Sequence, residues 1–196
     1  MKEGSETNMP APAIQHHRWT REKYERMVEV GILGSDDALE LLDGHIVDMS
    51  PQGSRHASIV EVVARRLATA FGSGYRVREE KPLALGDWSE PEPDIAVVQG
   101  REWDFVDAHP TTAALVVEVA ESSLATDRGI KKSIYARAGI AEYWIVDVRG
   151  GAIEVYRDPV GNDYASRSRL GPGDGVEPLA APGGALAVAD LLPPSG

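Results

Sequence analysis

Two acidic residues stand in short apolar runs near the middle of the chain. Asp94 opens the run PDIAVV, and Glu118 lies within ALVVEVA. Such runs are typical of strands buried on both faces of a sheet. A carboxylate there is costly unless it is paired, protonated or bound to metal. With Lys131 just downstream, the two acids indicate a divalent-metal site suited to phosphodiester chemistry.

The chemistry of such a site follows from the ion. Magnesium prefers oxygen ligands and keeps several waters, so one or two carboxylates plus a substrate phosphate suffice. A bound ion activates water and neutralises the leaving oxygen, and a nearby lysine orients or deprotonates that water and steadies the developing charge. The residues alone leave a structural alternative open: Asp94 caps a strand end, Glu118 forms a structural pair, and Lys131 lies on the surface.

The composition bounds the class of protein. The chain has 196 residues, 42% of them hydrophobic and 26% charged, which is ordinary for one soluble globular domain. We expect a flexible lead-in over residues 1–15 and a single domain over residues 16–193. No apolar run approaches the roughly 20 residues that span a bilayer, and no signal peptide is evident, so we expect a cytoplasmic protein without membrane contact. The absence of cysteine leaves His, Asp and Glu as metal ligands.

The net charge of −11 argues against a protein that coats nucleic acid through its general field. It does not exclude a nuclease, because acids at a cation site are counted before the ion binds. Local basic groups that could still touch phosphate are Arg65 with Arg66, or Arg128 with Lys131 and Lys132.

Helix signals flank a hairpin in the first third of the chain. Thr20 caps a predicted helix that ends at Gly31, with an expected core stripe of Tyr24, Met27, Val28 and Ile32. Asp43-Gly44 indicates a tight hairpin. The segment SPQGSRHASIVEVVARRLATAFGSG predicts a second helix, which Gly72 stops. Its expected core face comprises Ile59, Val62, Val63, Leu67, Ala70 and Phe71.

Strands dominate the remainder. YRVREEKPLAL predicts one or two strands, broken near Pro82. The other predicted strands are PDIAVVQ, ALVVEVA, EYWIVDV, AIEVYRD and the edge strand YASRSRL. A helix is expected from Asp127 to Ala138, stopped by Gly139, with Ile130, Ile134 and Ala138 towards the core. Helices and strands around one sheet predict an α/β (α+β) fold in three layers.

Several spaced motifs resemble a known family. EPD (92–94) and VEVA (117–120) are similar to the PD-(D/E)XK nuclease pattern. The wider set resembles its Uma-two branch, described as putative restriction endonucleases. That set comprises LELLDGHIVDMSP (39–51), His56, DRGIKKSIYARAGIAEYWIVD (127–147) and EVYRDP. The likeness runs from about Trp19 to Leu192. It implies a restriction-endonuclease-like mixed sheet flanked by helices, magnesium as cofactor with manganese as a substitute, and DNA as substrate.

The chain departs from the superfamily pattern at one position. That pattern has lysine two residues after the second acid, where this chain has Ala120. The Uma-two pattern implies that the lysine stands on the following helix, at Lys131. Asp127, Lys131 and Tyr135 are spaced by four and share a helix face, which makes Tyr135 an accessory candidate. Lys132 is the rival and points about 100° away.

Two further candidates are less specific. Glu40 matches the acid before the hairpin in the family pattern, as a third metal ligand or a residue that orients water; the alternative is a strand-edge acid facing solvent. His56, at the start of the second helix, could contact phosphate or metal, although a histidine there is more often a local hydrogen-bonding residue. Glu92 and Glu121 flank Asp94 and Glu118, and we expect them to lie outside the metal ligands or in solvent. The other histidines have no ligand-like spacing: His16, His17, His45 and His109.

Two functions from different classes follow. The first is a magnesium-dependent endonuclease acting on DNA, with RNA as another substrate to consider. The second is a catalytically silent nuclease-fold module that binds a protein or nucleic-acid partner, which Ala120 and the acidic charge favour. A homodimer would supply the two active sites that cutting both strands requires, although no residue indicates one. No DNA-reading motif is present, so the sequence specifies no target.

Overall fold

The computed structural model describes residues 16–34 and 37–193. The expectation of a flexible lead-in over residues 1–15 lies outside these residues. The helical elements are α1 (Arg21–Glu29), α2 (Ser54–Phe71), α3 (Leu124–Thr126), a π-helical turn (Asp127–Lys131), α4 (Lys132–Arg137) and a 3₁₀ turn (Val188–Asp190). The strands are β1 (Leu39–Leu42), β2 (His45–Asp48), β3 (Tyr75–Glu79), β4 (Ile95–Gln99), β5 (Leu115–Ala120), β6 (Glu142–Asp147), β7 (Ala152–Val160), β8 (Asp163–Leu170), β9 (Gly175–Val176) and β10 (Leu186–Ala187).

A six-stranded mixed sheet in the order β3-β4-β5-β6-β7-β8 forms the centre of the fold. Only the β5–β6 pair is parallel; the other neighbours run antiparallel. A parallel pair requires a crossover connection, and α3, the π-helical turn and α4 supply it. The predicted α/β fold with a mixed sheet flanked by helices is confirmed.

Two apolar cores lie on opposite faces of this sheet. On one face α2 packs through Ile59, Val63, Leu67 and Phe71 against residues that include Val117 and Trp144. On the other face α4 packs through Ile134 and Tyr135 against Val116, Ala120 and Tyr143. Since β5 and β6 are buried along their whole length, any acid within them lies in the interior.

The hairpin β1–β2 turns at Asp43 (φ 51°) and Gly44 (φ 84°), both in the left-handed region that a two-residue hairpin turn requires. The hairpin joins the body through a bridge between Leu41 and Glu90. This contact brings β1 alongside the segment that leads into β4.

Helix α1 differs from its expected packing. Thr20 caps it as predicted, by accepting a hydrogen bond from the Lys23 amide. Of the expected stripe only Tyr24 is buried, whereas Val28 and Ile32 are 49% and 66% exposed. The helix ends at Glu29, so Ile32 lies beyond it. The Tyr24 hydroxyl donates to the Leu39 carbonyl (3.0 Å) and fastens the helix to β1.

A buried acid beneath α1 makes the fold sensitive to pH. Glu90 is 6% exposed, and its Oε2 has no hydrogen-bond partner among the described residues. Burial and the adjacent Glu25 carboxyl raise the pKa of Glu90 from 4.5 to about 8, against the charge of Arg21. The folded state therefore binds this proton more tightly than the unfolded state.

Stability should consequently fall as the pH rises from about 4.5 to about 8, by at most about 1.4 kcal/mol per pH unit for this one proton. Glu90→Gln should flatten the decline, while Glu29→Gln on the exposed side of α1 should not. Urea unfolding across this range measures both. Parallel profiles for the parent and Glu90→Gln would show that Glu90 does not titrate there.

Candidate active site

The two central acids meet at one end of the sheet. Asp94 immediately precedes β4, and Glu118 lies in β5, whose Val117 pairs with Ile95. The backbone fixes them to each other: the Val119 amide donates to Asp94 Oδ2 (2.6 Å), and the Asp94 amide donates to Glu118 Oε2 (3.5 Å). The antiparallel register therefore brings together two acids that are 24 residues apart in the chain.

Lys131 and Glu40 complete this cluster. The Lys131 ammonium lies 3.1 Å from Glu118 Oε1 and 3.3 Å from Glu40 Oε2. Glu40 comes from β1, and its carboxylate also accepts a hydrogen bond from the Glu92 amide (3.2 Å). Both side chains are almost completely buried, so Glu40 is not a solvent-facing acid at a strand edge.

The π-helical turn Asp127–Lys131 orients the lysine. Asp127, Lys131 and Tyr135 all point inward and are buried, and the Tyr135 hydroxyl donates to Glu118 Oε1 (2.6 Å). Lys132 points elsewhere and pairs with Asp163 at 2.6 Å. A turn of this type is rare and recurs at functional sites.

His56 reaches the cluster from the first turn of α2. Its Nε2 lies 3.0 Å from Asp94 Oδ1. The hydrogen bond with Asp94 raises the pKa of His56 above its usual value, although burial opposes this effect. His56 thus contacts the Asp94 carboxylate oxygen that is not bonded to the Val119 amide, and the two contacts together orient the carboxylate.

Burial and charge perturb the acids strongly. Burial raises the pKa of Glu118 well above its ordinary value; Lys131 opposes this rise and the Asp94 charge adds to it. Burial would lower the pKa of Lys131, but Glu118, Glu40 and Asp127 raise it, so the lysine carries its charge among the acids. Perturbed groups of this kind concentrate at functional sites.

Asp127 is a residue of this cluster to which the sequence assigned a helix face shared with Lys131 but no role in the site. It is 1% exposed, and Ser123 Oγ donates to its Oδ2 (2.6 Å). Burial raises the pKa of Asp127 to about 6, against the effect of that hydrogen bond. Its spacing of four from Lys131 was the available signal.

One cavity of about 350 Å³ is lined by the charged groups of the cluster: Glu40, His56, Asp94, Glu118, Asp127 and Lys131. Its wall also includes apolar side chains, among them Val47 in β2, Met49 just after β2, and Ile130 from the π-helical turn. The expectation that Ile130 faces the core is wrong: the side chain is 37% exposed, because the π-helical turn directs Lys131 inward in its place. A cavity with both acidic and apolar walls can hold a polar reacting group beside a less polar part of a ligand.

The donor set suits a hard divalent cation, since Glu40, Asp94 and Glu118 offer only oxygen. Within residues 16–34 and 37–193, no three His, Asp or Glu side chains already converge closely enough to hold an ion. The contacts explain this: Lys131 stands between Glu40 and Glu118, and Asp94 is held by His56 and Val119. These three carboxylates fit a divalent cation chemically, and they would have to turn away from their present partners to bind one.

The remaining candidates lie outside this cluster or at its margin. Glu92 borders the same cavity. His16, His17 and His45 are exposed, and His109 lines a different depression beside α1. Tyr143 and Trp144 are fully buried core residues. None of the described helices is long and apolar enough to cross a bilayer.

Comparisons with known proteins identify relatives of the fold and of the sequence. The chain superimposes with a TM-score of 0.68 on the crystal structure of a putative nuclease belonging to DUF820 from Anabaena variabilis ATCC 29413. The two are 18% identical, and the match covers 83% of this chain and 94% of that one, which establishes a shared fold. No curated protein matches the sequence.

A family comparison covers most of the chain. The family model Uma2, described as "Putative restriction endonuclease", matches residues 21–189. This span contains the acids, the lysine and His56, and the family and fold together support a nuclease. The chain therefore belongs to the Uma2 family of putative restriction endonucleases.

Proposed function

We propose that this protein is a magnesium-dependent endonuclease that hydrolyses phosphodiester bonds of DNA. The observation that carries the proposal is the convergence of Glu40, Asp94 and Glu118 with one buried lysine in a single cavity. Family membership and the likeness to a protein described as a putative nuclease support the same reaction class.

Each residue has a role in this proposal. Asp94 and Glu118 hold the cation and Glu40 assists them, while Lys131 orients the attacking water and stabilises negative charge on the phosphoryl oxygens. When bound, magnesium supplies Lewis-acid polarisation and water activation. His56 and Tyr135 hold the carboxylates of Asp94 and Glu118 in place through their hydrogen bonds.

A specific observation also favours the alternative, a catalytically silent module that binds a partner. The Lys131 ammonium pairs with two carboxylates, and a buried ion network of this kind can persist as a purely structural feature. Ala120 leaves the superfamily's usual lysine position empty. Activity rather than geometry discriminates the two functions.

Cleavage should require a divalent ion. Purified protein should nick supercoiled plasmid with millimolar magnesium or manganese and should lose this activity completely in excess EDTA, because the proposed ion both activates the water and neutralises the leaving oxygen. Gel electrophoresis measures the nicked fraction over time. Parallel reactions with single-stranded RNA separate DNA from RNA as the substrate.

Ion binding should be visible without cleavage. Magnesium or manganese should raise the melting temperature, since the ion binds the folded state preferentially. Plasmid that stays supercoiled with either ion, together with calorimetric titrations that show no binding at several millimolar, would favour the silent module.

A further inference from the structure

A row of side chains connects the candidate active site to the far edge of the sheet. Glu118 in β5 pairs with Ile145 in β6, Ile145 pairs with Glu154 in β7, and Glu154 pairs with Arg169 in β8. Directly paired residues point to the same face, so all four lie on the α4 side of the sheet. Adjacent strands are about 4.8 Å apart, which places Arg169 about 14 Å from Glu118.

Three arginines converge on the third member of this row. Glu154 is fully buried, and its carboxylate accepts from Arg128 Nε (3.1 Å) and contacts Arg167 Nη2 (3.1 Å) and Arg169 Nη1 (3.2 Å). Arg169 Nη1 also donates to Asp147 Oδ2 (3.0 Å). Burial alone would raise the pKa of Glu154, but the hydrogen bonds from Arg128 and Tyr156 hold it at about 2.

The convergence leaves positive charge and free donors facing outward. Three guanidinium groups face two carboxylates, Glu154 and Asp147, which leaves one net positive charge on a chain of net charge −11. The side chains of Arg128, Arg167 and Arg169 remain 38%, 54% and 44% exposed. Each guanidinium has five N–H donors, and the internal contacts use only part of them.

This arginine surface also shares an element with the candidate active site. Arg128 and Lys131 belong to the same π-helical turn, and they reach Glu154 and Glu118 respectively. Asp147, which contacts Arg169, pairs with Ala120 at the end of β5 that carries Glu118. The arginines therefore lie at the same end and on the same face of the sheet as the acids.

We propose that Arg128, Arg167 and Arg169 form a phosphate-binding surface that holds the nucleic-acid backbone to one side of the scissile bond. The proposal rests on the proposed nuclease function and adds where the substrate lies. In this proposal the duplex axis runs parallel to the row of paired residues. Successive phosphates of one strand are about 3.4 Å apart along that axis, so a separation of about 14 Å corresponds to about four nucleotides. Glu154 and Asp147 act by holding the guanidinium groups in position.

Binding measured without cleavage tests this surface. Asp94→Asn protein in EDTA is titrated against a fluorescein-labelled duplex of about 20 base pairs at several salt concentrations. Adding Arg167→Gln and Arg169→Gln should weaken binding at least 10-fold at low salt. It should also reduce the slope of log K against log salt by about 0.9 for each lost phosphate contact.

Matched variants control for charge. Arg26→Gln with Arg76→Gln removes the same charge from exposed arginines that pair with Glu29 and Glu102, and it should change the affinity less than 2-fold. Arg167→Lys keeps the charge and should retain most of the affinity. If the double variant does not fold, Arg167→Gln alone should still lower the salt slope by about 0.9.

Three results would overturn the surface. The first is an unchanged affinity in the arginine variants. The second is an equal loss of affinity in the Arg26→Gln/Arg76→Gln control or in an Arg65→Gln/Arg66→Gln variant. The third is the absence of duplex binding by the Asp94→Asn reference protein at tens of micromolar. Such results would leave the cleavage proposal intact, because that proposal is tested by plasmid nicking. Arginine-dependent duplex binding without any plasmid nicking would instead support nucleic-acid binding by the arginine surface and contradict the proposed nuclease activity.

Discussion

Replacing Asp94 with asparagine should reduce the rate of plasmid nicking at least about 100-fold, a loss typical of removing one fixed charge from a transition state. Asparagine has the same shape, and its carbonyl oxygen can still accept from the Val119 amide. The fold should therefore survive. What disappears is the negative charge that the proposed cation requires.

Two further measurements make the result interpretable. The magnesium-dependent rise in melting temperature should shrink in Asp94→Asn, whereas the unfolding free energy without metal should change by no more than about 1 kcal/mol. If Asp94→Asn nicks at more than a tenth of the parental rate, the assignment of Asp94 as a metal ligand is wrong.

Lys131→Ala should also abolish detectable nicking, with a loss on the order of 100-fold or more. The ammonium is the positive group that lies between Glu40 and Glu118, and a lysine is not a metal ligand. Metal binding, measured by calorimetry, should persist. Removing the lysine should also leave two buried carboxylates facing each other, so the variant should unfold more easily without metal than with it.

A transplant provides the sharper test of this lysine. Ala120 lies on the same face of β5 as Glu118, so Lys131→Ala combined with Ala120→Lys should recover part of the lost nicking. Lys132→Ala is the matched control and should be nearly harmless, because Lys132 pairs with Asp163 outside the site. A dead Lys132→Ala variant beside an active Lys131→Ala variant would reverse the assignment.

Local chain signals were sufficient for most elements of the fold. A few neighbouring residues are enough to predict the Asp43-Gly44 turn, the Thr20 cap and the buried strand around Glu118. The pairing of Asp94 with Glu118 was also expected, since an acid in an apolar run needs a partner.

Features that depend on tertiary packing were not predictable in the same way. Hydrophobic periodicity placed Val28 and Ile130 in the core, but the docking of α1 and the π-helical turn expose them. Regular helical spacing carries no signal for the extra residue of a π turn. The contact of His56 with Asp94 needs α2 to lie against the end of β4, which no local pattern specifies.

The arginine surface illustrates the same limit across strands. Arg128, Arg167 and Arg169 are scattered over more than 40 positions. Arg128 is a candidate phosphate contact in the sequence, but Arg167 and Arg169 resemble ordinary surface residues there. Their common partner, Glu154, follows only from the register of β7 against β8 and from the position of the π-helical turn. Register is set by the whole sheet and not by the neighbours of any one residue.

The π-helical turn has a consequence for how the active site fails. In the superfamily pattern the lysine and the second acid stand on one strand, so their separation is fixed by the covalent chain. Here Lys131 reaches Glu118 only while the segment from Asp127 to Arg137 stays docked on the sheet. Segments of a protein can open locally at a lower free energy than global unfolding. We therefore expect the Lys131–Glu118 contact, and with it the proposed cleavage activity, to be lost before the sheet itself unfolds.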